Sequence, residues 1–360
     1  MNLKDQFFNE KTLNDFLDEL SVYHEFDQLG FLNKALNRFP LLELKERISC
    51  IRELLKEYMP EGYLETIDIF TKLLKNIKED KFIYASILEY VEFYGCKVEF
   101  IDFSLDKLGE FTSSFTAEFV IRRFINQFED KSLLKLYKWS TSSDFHQRRL
   151  ASEGSRPKLP WAVNINLDYR ETIPILDNLY YDSVRYVTRS VANHLNDISK
   201  IDSNLVIETL KRWKLEQKQN TKEMQYIVNH SLRTLVKKGD METLSFLGFT
   251  DSPKVIIDLN LSNDKYNVGD YLEFEVEINP LENSKVVVDY IVHYPTNAGN
   301  ISKKTFKIKS LELFKNTKVI IKRKNKLENR TTRKLCSGIH KVFIQLNGLI
   351  VAEKEFILEE

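Results

Sequence analysis

The chain has 360 residues, which is enough for two domains with separate cores, and 42% of them are hydrophobic, as in ordinary globular proteins. Its 53 basic and 53 acidic side chains cancel, so the total charge gives no sign of a nucleic-acid partner. The three cysteines are widely separated and form no CxxC pair, which excludes a disulfide framework and a zinc ribbon. Because no stretch approaches the run of about 20 apolar residues that a membrane helix needs, we expect a soluble cytoplasmic protein without membrane contact.

Apolar residues recur at helical spacing throughout the first 249 residues, and this spacing predicts amphipathic helices in series. Two clear examples are Leu44, Ile48, Ile51, Leu54 and Leu55, and Leu205, Ile207, Leu210 and Trp213. Turn residues at Lys78 to Lys81, Asp182-Ser183 and Lys238 to Asp240 divide the pattern into stretches of roughly ten to fifteen residues. Such series are typical of stacked helix pairs, so residues 1–249 are predicted to form a mainly α, HEAT-like solenoid, although the letters show no strict repeat.

The sequence FTAEFVIRRFI places Glu118 on an otherwise apolar predicted helix. A carboxylate in such surroundings needs either a partner or a function. One hypothesis is a functional acid, and the other is a structural ion pair with Arg122, one helical turn further on. The residues leave both hypotheses open.

The segment DFHQRRLASEGSRPKLPW, residues 144–161, combines basic groups, one carboxylate and an indole. Its members are Arg148, Arg149, Glu153, Arg156, Lys158 and Trp161. Arg149 and Glu153 are four residues apart and share one helical face, after which Gly154 and Pro157 end the helix and turn Trp161 back toward it. This composition predicts a pocket for a polyanion that undergoes chemistry. The structural alternative is an exposed Arg–Glu pair on a helix, followed by a loop whose tryptophan packs in the core. The local sequence alone favours this alternative.

Further polar residues on the predicted helices are candidates for a DNA-facing surface, because the concave face of a solenoid suits a long ligand. The basic ones are Arg122, Arg123, Arg185, Arg189, Arg233, Lys237 and Lys238. Asn193 and Asp197 lie one turn apart and, on a shared groove, would help to hold a backbone or a water. Solvated charges explain each basic residue as well, and capping or helix packing explains Asn193 and Asp197.

After Asp251-Ser252-Pro253 the pattern changes to alternation, which predicts a small all-β sandwich over residues 250–360. Alternating stretches are Val255 to Leu261, Tyr271 to Ile278 and Val286 to Val292, with turns at Val268 to Asp270 and Pro295 to Gly299. The stretch Ser302 to Lys341 has fourteen basic residues against Glu312 and Glu328. We predict that its basic groups, Lys322 to Lys326 and Arg330 to Lys334, flank a hairpin, with Cys336 to Gly338 turning into the final strand. Protection of an exposed sheet edge by lysines is the alternative explanation.

The sequence gives little support to metal-dependent or nucleotide-cofactor chemistry. The six histidines form no HxxxH or HExxH pattern, and the eleven glycines form neither GxGxxG nor a Walker loop. We therefore expect no metal site and no cofactor.

Three blocks of the sequence resemble the AlkC branch of the bacterial DNA alkylation repair glycosylases. They are RRLASEGSRPKLPWA, RSVANHLNDISK and HSLRTLVKKGDMETLSFLGF, and they occur in the order found in that family. The string TTRKLCSGIHKVFIQLNG is similar to an Ig-like domain appended to one subgroup. The resemblance implies a HEAT-like helical domain followed by an Ig-like sandwich.

The resemblance also implies hydrolysis of the bond between an N3-methylated base, 3-methyladenine or 3-methylcytosine, and deoxyribose in alkylated double-stranded DNA. The oxocarbenium-like transition state is stabilised by a carboxylate near C1′ that also orients a water, for which Glu153 is the first choice and Glu118 matches a second acidic position. Trp161 would lie against the deoxyribose or the cationic base, and the base would not be enclosed. The implied enzyme is a monofunctional, nucleoid-associated monomer.

We expect DNA contacts in both predicted domains: around the predicted pocket and its groove in the helical domain, and in the sandwich, which by the resemblance reaches into a groove of the DNA. In the helical domain they are Arg148, Arg149, Arg156, Lys158, Arg189, Asn193 and Asp197, and in the sandwich Lys322, Arg323, Lys324 and Lys326. A non-catalytic scaffold that binds nucleic acid or protein is the main alternative, because solenoids bind more often than they catalyse. A lyase that uses Lys158, or a nuclease, is a second alternative.

Overall fold

The computed structural model describes residues 2–77, 81–296, 299–329 and 334–359, with helices up to Phe246 and strands from Val255 onward. The chain is therefore helical first and β afterwards, as its change of pattern near residue 250 predicts. The HEAT-like arrangement of the helices and the domain boundary at 249/250 remain predictions. The predicted connector Lys78 to Lys81, the turn Pro295 to Gly299 and the basic group Arg330 to Lys334 lie partly outside the described residues.

The helices are numbered in chain order. They are α1 (Leu3–Phe7), α2 (Glu10–Ser21), α3 (Gln28–Arg38), α4 (Leu44–Tyr58), α5 (Tyr63–Lys75), α6 (Ala85–Gly95), α7 (Ile101–Phe111), α8 (Ile121–Gln127), α9 (Glu129–Ser140), α10 (Phe145–Gly154), α11 (Ile173–Leu179), α12 (Arg185–Ile198), α13 (Ser203–Glu216), α14 (Thr221–Ser231), α15 (Arg233–Lys238) and α16 (Met241–Phe246). Short 3-10 turns occupy Phe39–Leu41, Phe82–Tyr84 and Tyr169–Thr172.

Polar side chains fix several helix starts where the sequence places a short acceptor before an apolar run. Asn9 and Thr12 form a reciprocal capping box at α2, and Asp144 accepts a hydrogen bond from the His146 amide at α10. Asp240 caps α16 in the same way. Satisfying these otherwise unpaired amides sets where each helix begins.

The strands form two sheets. They are β1 (Val255–Leu261), β2 (Lys265–Asn267), β3 (Tyr271–Pro280), β4 (Ser284–Pro295), β5 (Ile301–Leu313), β6 (Val319–Lys326), β7 (Gly338–Leu346) and β8 (Leu349–Glu359). The orders are β1-β3-β6 and β2-β8-β7-β4-β5, and every pairing is antiparallel except β2 with β8. Apolar side chains of both sheets, including Phe274, Val276, Val288 and Val342, are buried in one core.

The predicted basic hairpin lies partly outside the described residues, and its described strand, β6, does not pair with the next described strand along the chain. Strand β6 pairs with β3 in the three-stranded sheet, whereas β7 pairs with β4 and β8 in the five-stranded sheet. Gly338 begins β7 as predicted for a strand start, but β8 follows it and is the last strand. Alternation identifies strands in a sequence, but it does not identify their partners.

Contacts between Cα atoms divide the chain into two compact units. One unit comprises Met1–Ile198 and Arg212–Ser231, and the other comprises Ser199–Lys211 and Leu232–Glu360. The second unit therefore includes α15 and α16 as well as the sandwich. Within it Gly239 and Gly348 pack so closely that a Cβ added to Gly239 would lie 2.2 Å from the Gly348 Cα, and both glycines have positive φ. A side chain at either position would separate the α15–α16 turn from the β7–β8 turn.

Candidate active site

Helix α10 carries Arg149 and Glu153, the pair predicted to share one helical face. It ends at Gly154, as predicted, and a Cβ added there would lie 2.6 Å from Cγ2 of Ile121 on α8. Helices α9 and α12 pack against α10. Glu153 and Arg149 are therefore held on the last turns of a helix with neighbours on several sides.

Glu153 is 6% exposed, and both of its carboxylate oxygens have partners. Arg156 Nη1 donates to Oε1, and the Ser190 hydroxyl on α12 donates to Oε2 at 2.6 Å. Arg149 Nη2 lies 3.9 Å from Oε1, which confirms that Arg149 and Glu153 share one helical face. The carboxylate position is thus fixed by a hydroxyl and two guanidinium groups.

Arg156 joins Glu153 to Asp197 on α12. Its Nε and Nη2 atoms lie 2.9 and 2.8 Å from Asp197 Oδ2, and Asp197 is 4% exposed. Burial alone would lower the pKa of Arg156, but the two carboxylates outweigh it and raise the pKa above its usual range. In this structure Asp197 therefore pairs with a guanidinium group and does not face a groove.

Glu118 forms a second ion pair beside the first. It lies in a turn directly before α8, and Arg149 Nη1 and the Thr116 hydroxyl both donate to its Oε2. The predictions that Glu118 is helical and that Arg122 is its structural partner are both wrong, because Arg149, 31 residues along the chain, is the residue it pairs with. The guanidinium carbon of Arg149 also lies 5.0 Å from the ring centre of Tyr186. We call Glu118, Arg149, Glu153, Arg156 and Asp197 the carboxylate–arginine cluster.

Arg122 is fully buried under the chain that follows α10, so it does not line an open surface as predicted. Its Nη1 donates to the carbonyls of Gly154 and Arg156 at 3.2 and 2.8 Å, and its Nε donates to the carbonyl of Val163 at 2.5 Å. Burial, with the like charge of Arg156, lowers the pKa of Arg122 to about 10. Arg122 thus holds residues 154–163 in place, including the turn that carries Trp161.

Trp161 is 72% exposed, so it is not the core anchor of the structural alternative. Its φ is +67°, a left-handed conformation that a bulky side chain rarely adopts. Lys45 on α4 donates to its carbonyl oxygen. The indole borders an apolar cleft of about 450 Å³ that Thr116 and Val163 also line.

The other predicted helical contacts separate into paired and exposed groups. Arg148 makes a two-point ion pair with the buried Asp182, with distances of 2.5 and 3.2 Å, so its guanidinium group already has a partner in the protein. Asn193 hydrogen-bonds His230 on α14 at 2.8 Å. Lys158 and Arg189 are exposed. Among the further basic candidates, Lys237, Lys238 and Arg185 are also exposed, and Arg185 is paired with Glu223.

Two residues of the site were missed in the sequence analysis, Ser190 and Thr116. Ser190, His194 and Asp197 follow one another at helical spacing on α12, and they contact Glu153, Ser152 and Arg156 at or just after the end of α10. The sequence RSVANHLND contains this spacing as a signal. Burial, with the nearby charge of Arg156, lowers the pKa of His194 to about 3. Thr116 gives no periodic signal of this kind, because one of its partners, Arg149, lies 33 residues along the chain and the other, Glu118, is in the same turn.

The basic residues of β6 form a different kind of surface, which we call the basic strand: Lys322, Arg323, Lys324 and Lys326. With β1 and β3 it borders a groove of about 680 Å³. Its charge is partly compensated, because Lys322 lies 2.9 Å from Glu275 and Lys326 lies 3.3 Å from Glu328. Lys324 lies over the ring of Tyr271, at 5.0 Å from its centre.

Within the described ranges, no three His, Cys, Asp or Glu side chains are grouped closely enough to hold a metal ion. None of the helices in those ranges has the length and apolar character needed to cross a membrane.

Two family models match the chain. The model described as DNA alkylation repair enzyme matches residues 47–234, and the model described as the uncharacterised protein YhaZ, C-terminal Ig-like domain, matches residues 255–360. The first match contains the whole carboxylate–arginine cluster, and the second contains the basic strand.

Individual proteins are similar over nearly the whole chain. The uncharacterized protein YhaZ of Bacillus subtilis (strain 168) is 32% identical over 359 residues, with 98% of both chains covered. The solved structure of Pseudomonas fluorescens alkylpurine DNA glycosylase AlkC, bound to DNA containing an abasic site analog, is 31% identical with a TM-score of 0.93 and covers 100% of both chains. The similarity therefore includes the helical part and the β part together.

Proposed function

This chain belongs to the family of DNA alkylation repair enzymes, and on that premise we propose that it is a DNA glycosylase that releases 3-methyladenine and 3-methylcytosine from alkylated duplex DNA. The observation that carries the proposal is the fixed carboxylate of Glu153 in a cluster that Thr116 joins to the cleft lined by the exposed Trp161. The similarity to an alkylpurine DNA glycosylase over the full chain supports the same reaction class.

The reaction breaks the bond between C1′ and the base nitrogen. The electron pair leaves with the nitrogen, so the cationic base departs neutral, and water adds to C1′ and loses a proton. Because the lesion is already a good leaving group, the protein contributes mainly by stabilising the positive sugar and orienting the water. We propose Glu153 for both tasks and Glu118 as the second carboxylate facing the sugar.

The surroundings of Glu153 suit this role because they remove its freedom to move. Arg156 and Ser190 each hold one oxygen, and a carboxylate held before the reaction needs no reorganisation during it. We propose that Arg149 and Arg156 position the carboxylates, since their guanidinium groups are already paired with Glu118, Glu153 and Asp197.

Trp161 supports the proposal through its conformation. A left-handed backbone conformation costs a bulky residue roughly 1–2 kcal/mol of free energy. Burial of the indole offsets little of this cost, because the side chain is 72% exposed. A residue that is both strained and exposed is better explained by contact with a ligand than by packing. We propose that its face lies against the deoxyribose or the cationic base, and that the base stays unenclosed during cleavage.

We propose that DNA is bound through exposed basic groups of both units, with one protein monomer acting on one duplex. In the helical unit these groups are Lys158 and Arg189, and in the β unit the basic strand enters a groove of the duplex. Asn193, which bonds His230, and Arg148, which bonds Asp182, then act by positioning helices.

The test is release of free methylated base from methylated duplex DNA, without lyase products. We expect release by the wild type and a rate lower by about 100-fold or more in Glu153→Gln, which keeps the shape and removes the charge. Glu99→Gln, an exposed change of the same kind, is the matched control and should match the wild type. Thermal unfolding of each variant shows whether a lost rate reflects a lost fold.

Three outcomes would overturn parts of the proposal. Binding of DNA by the wild type without release supports a scaffold. Full release by Glu153→Gln removes Glu153 from its role. Strand cleavage that depends on Lys158 supports a lyase.

A further inference from the structure

The apolar cleft beside Trp161 has no role in the reaction described above. It has a volume of about 450 Å³ and is bounded by α4, α6, the turn before α8 and the loop after α10. Its aromatic lining consists of Phe82, Phe93, Phe115, Phe119 and Trp161. A cleft of this size with mainly apolar walls has the dimensions of a small-molecule site.

The cleft opens next to the carboxylate–arginine cluster. Thr116 lines the cleft, and its hydroxyl donates to Glu118 and accepts a hydrogen bond from Arg149 at 2.5 Å. Trp161 lines the same cleft and is proposed to lie against the reacting nucleotide. A molecule that leaves the reacting position thus has the cleft directly beside it.

The apolar lining is interrupted by two acids, Glu89 and Glu92 on α6, and by one base, Lys45 on α4, whose Nζ donates to the Trp161 carbonyl. Oε1 of Glu89 accepts a hydrogen bond from Ser49 at 3.0 Å, while its buried Oε2 accepts none from any described residue and lies 3.5 Å from Arg52 Nη1. Burial, together with the charge of Glu89, raises the pKa of Glu92 to about 7, although the charges of Arg123 and Arg52 oppose this. The cleft therefore offers carboxyl acceptors between aromatic surfaces.

Aromatic walls with acceptor groups select a flat molecule that has N–H donors at its edge. Phosphate is disfavoured by the two acids, and an aliphatic chain would leave the acceptor oxygens unpaired. An N-methylated base satisfies both conditions, since its ring faces stack on aromatic side chains and its exocyclic amine donates hydrogen bonds. A purine is also small enough for a cleft of this volume.

We propose that this cleft binds the free N-methylated base after the base has left the DNA, an inference that rests on the proposed function. Its ring lies among Phe115, Phe119 and Trp161, and its amine donates to Glu92. Occupancy of the cleft keeps the leaving base away from the sugar and makes the free base an inhibitor of the next turnover.

The test is equilibrium dialysis, which measures how tightly the full chain binds free 3-methyladenine in the absence of DNA. We expect saturable binding by the wild type and about tenfold weaker binding by Ala85→Phe, because Ala85 lines the cleft and a larger side chain there should reduce its volume. Glu92→Gln should weaken binding of 3-methyladenine by about tenfold but leave binding of unsubstituted purine, which lacks the amine, nearly unchanged. Glu99→Gln is the exposed matched control.

The outcomes separate this inference from the proposed function, because base release from methylated DNA is measured on the same samples. Release of base with no binding of 3-methyladenine overturns the cleft assignment and leaves the glycosylase intact. Saturable binding without release overturns the glycosylase and supports the cleft. Unchanged affinity in both cleft variants overturns the cleft; if Ala85→Phe does not fold, Glu92→Gln with the purine comparison decides alone.

Discussion

The carboxylate–arginine cluster and the basic strand use similar charges in opposite ways. In the cluster, Glu118, Glu153 and Asp197 are buried against guanidinium groups, and each charge has a partner in the protein. On the basic strand, Lys322 and Lys324 are exposed, and only some of the lysines have acidic partners. The first arrangement fixes geometry, and the second leaves charge available to a ligand.

Burial is the physical cause of the difference. A buried ion pair loses its hydration, so removing one member leaves an uncompensated charge and is strongly destabilising. An exposed pair is screened by water and salt and contributes little to stability. The cluster should therefore respond to substitution through folding and catalysis, and the basic strand through DNA affinity.

The largest expected effect is that of Arg156→Met. It leaves the buried carboxylates of Glu153 and Asp197 without their shared partner, and we expect the free energy of unfolding to fall by about 3–5 kcal/mol. Urea unfolding followed by circular dichroism measures it. Lys324→Met, the counterpart on the basic strand, should change stability by less than about 0.5 kcal/mol. Equal losses in the two variants would remove the distinction between the regions.

The next effect is the pH dependence that the buried His194, which hydrogen-bonds the Ser152 carbonyl beside the cluster, gives to the free energy of unfolding. Its folded pKa of about 3 lies below its ordinary value of 6.5, so the unfolded chain binds the extra proton first and stability falls as pH drops from about 6.5 toward 3. Between pH 6.5 and 5 the loss is about 2 kcal/mol. We expect His194→Gln to reduce this slope, as measured by urea unfolding across that range. The same change at His24, outside the cluster, should leave it as in the wild type, and an unaltered slope in His194→Gln would contradict the assignment.

Neutralising the basic strand should act on binding. Changing Lys322, Lys324 and Lys326 together to Gln should weaken duplex affinity by about tenfold and lower the slope of log affinity against log salt by about 2. The expected change in slope is smaller than the loss of three full phosphate contacts would give, because Lys322 and Lys326 already contact Glu275 and Glu328. Titration of labelled duplex at several salt concentrations measures both quantities.

The control for the basic strand changes Lys254, Lys265 and Lys354 to Gln, since these lysines are exposed in the same unit but lie outside β6. It should leave affinity and slope nearly unchanged. Equal effects from the two triple variants would mean that binding depends on total charge and not on the strand.

Local features of the fold were predictable from the sequence, and long-range partners were not. The strand Val255–Leu261 and the helix end at Gly154 agree with their predicted positions, because alternation and glycine act within a few residues. The pairing of β6 with β3 could not be predicted in this way, because sheet order depends on the whole sandwich.

The candidate site divides in the same way. The pair Arg149 and Glu153 was visible as a four-residue spacing. The bond from Arg149 to Glu118 was not, because it joins a turn to a helix 31 residues away. The sequence also led us to expect Arg122 on an open face, whereas in the structure it donates hydrogen bonds to buried backbone carbonyls. Sequence spacing shows which residues one helix brings together. Which residues of two separate segments come into contact depends on how those segments pack.

The smallest expected effect isolates the backbone of Trp161. Trp161→Ala and Trp161→Gly both remove the indole, so both should slow base release to the same extent. They differ in backbone freedom, because alanine keeps the strain of a positive φ and glycine does not. We therefore expect Trp161→Gly to be more stable than Trp161→Ala by about 1 kcal/mol, measured by urea unfolding. Equal stabilities would mean that the left-handed conformation carries no strain, and unchanged release in both would mean that the indole faces solvent without touching the DNA.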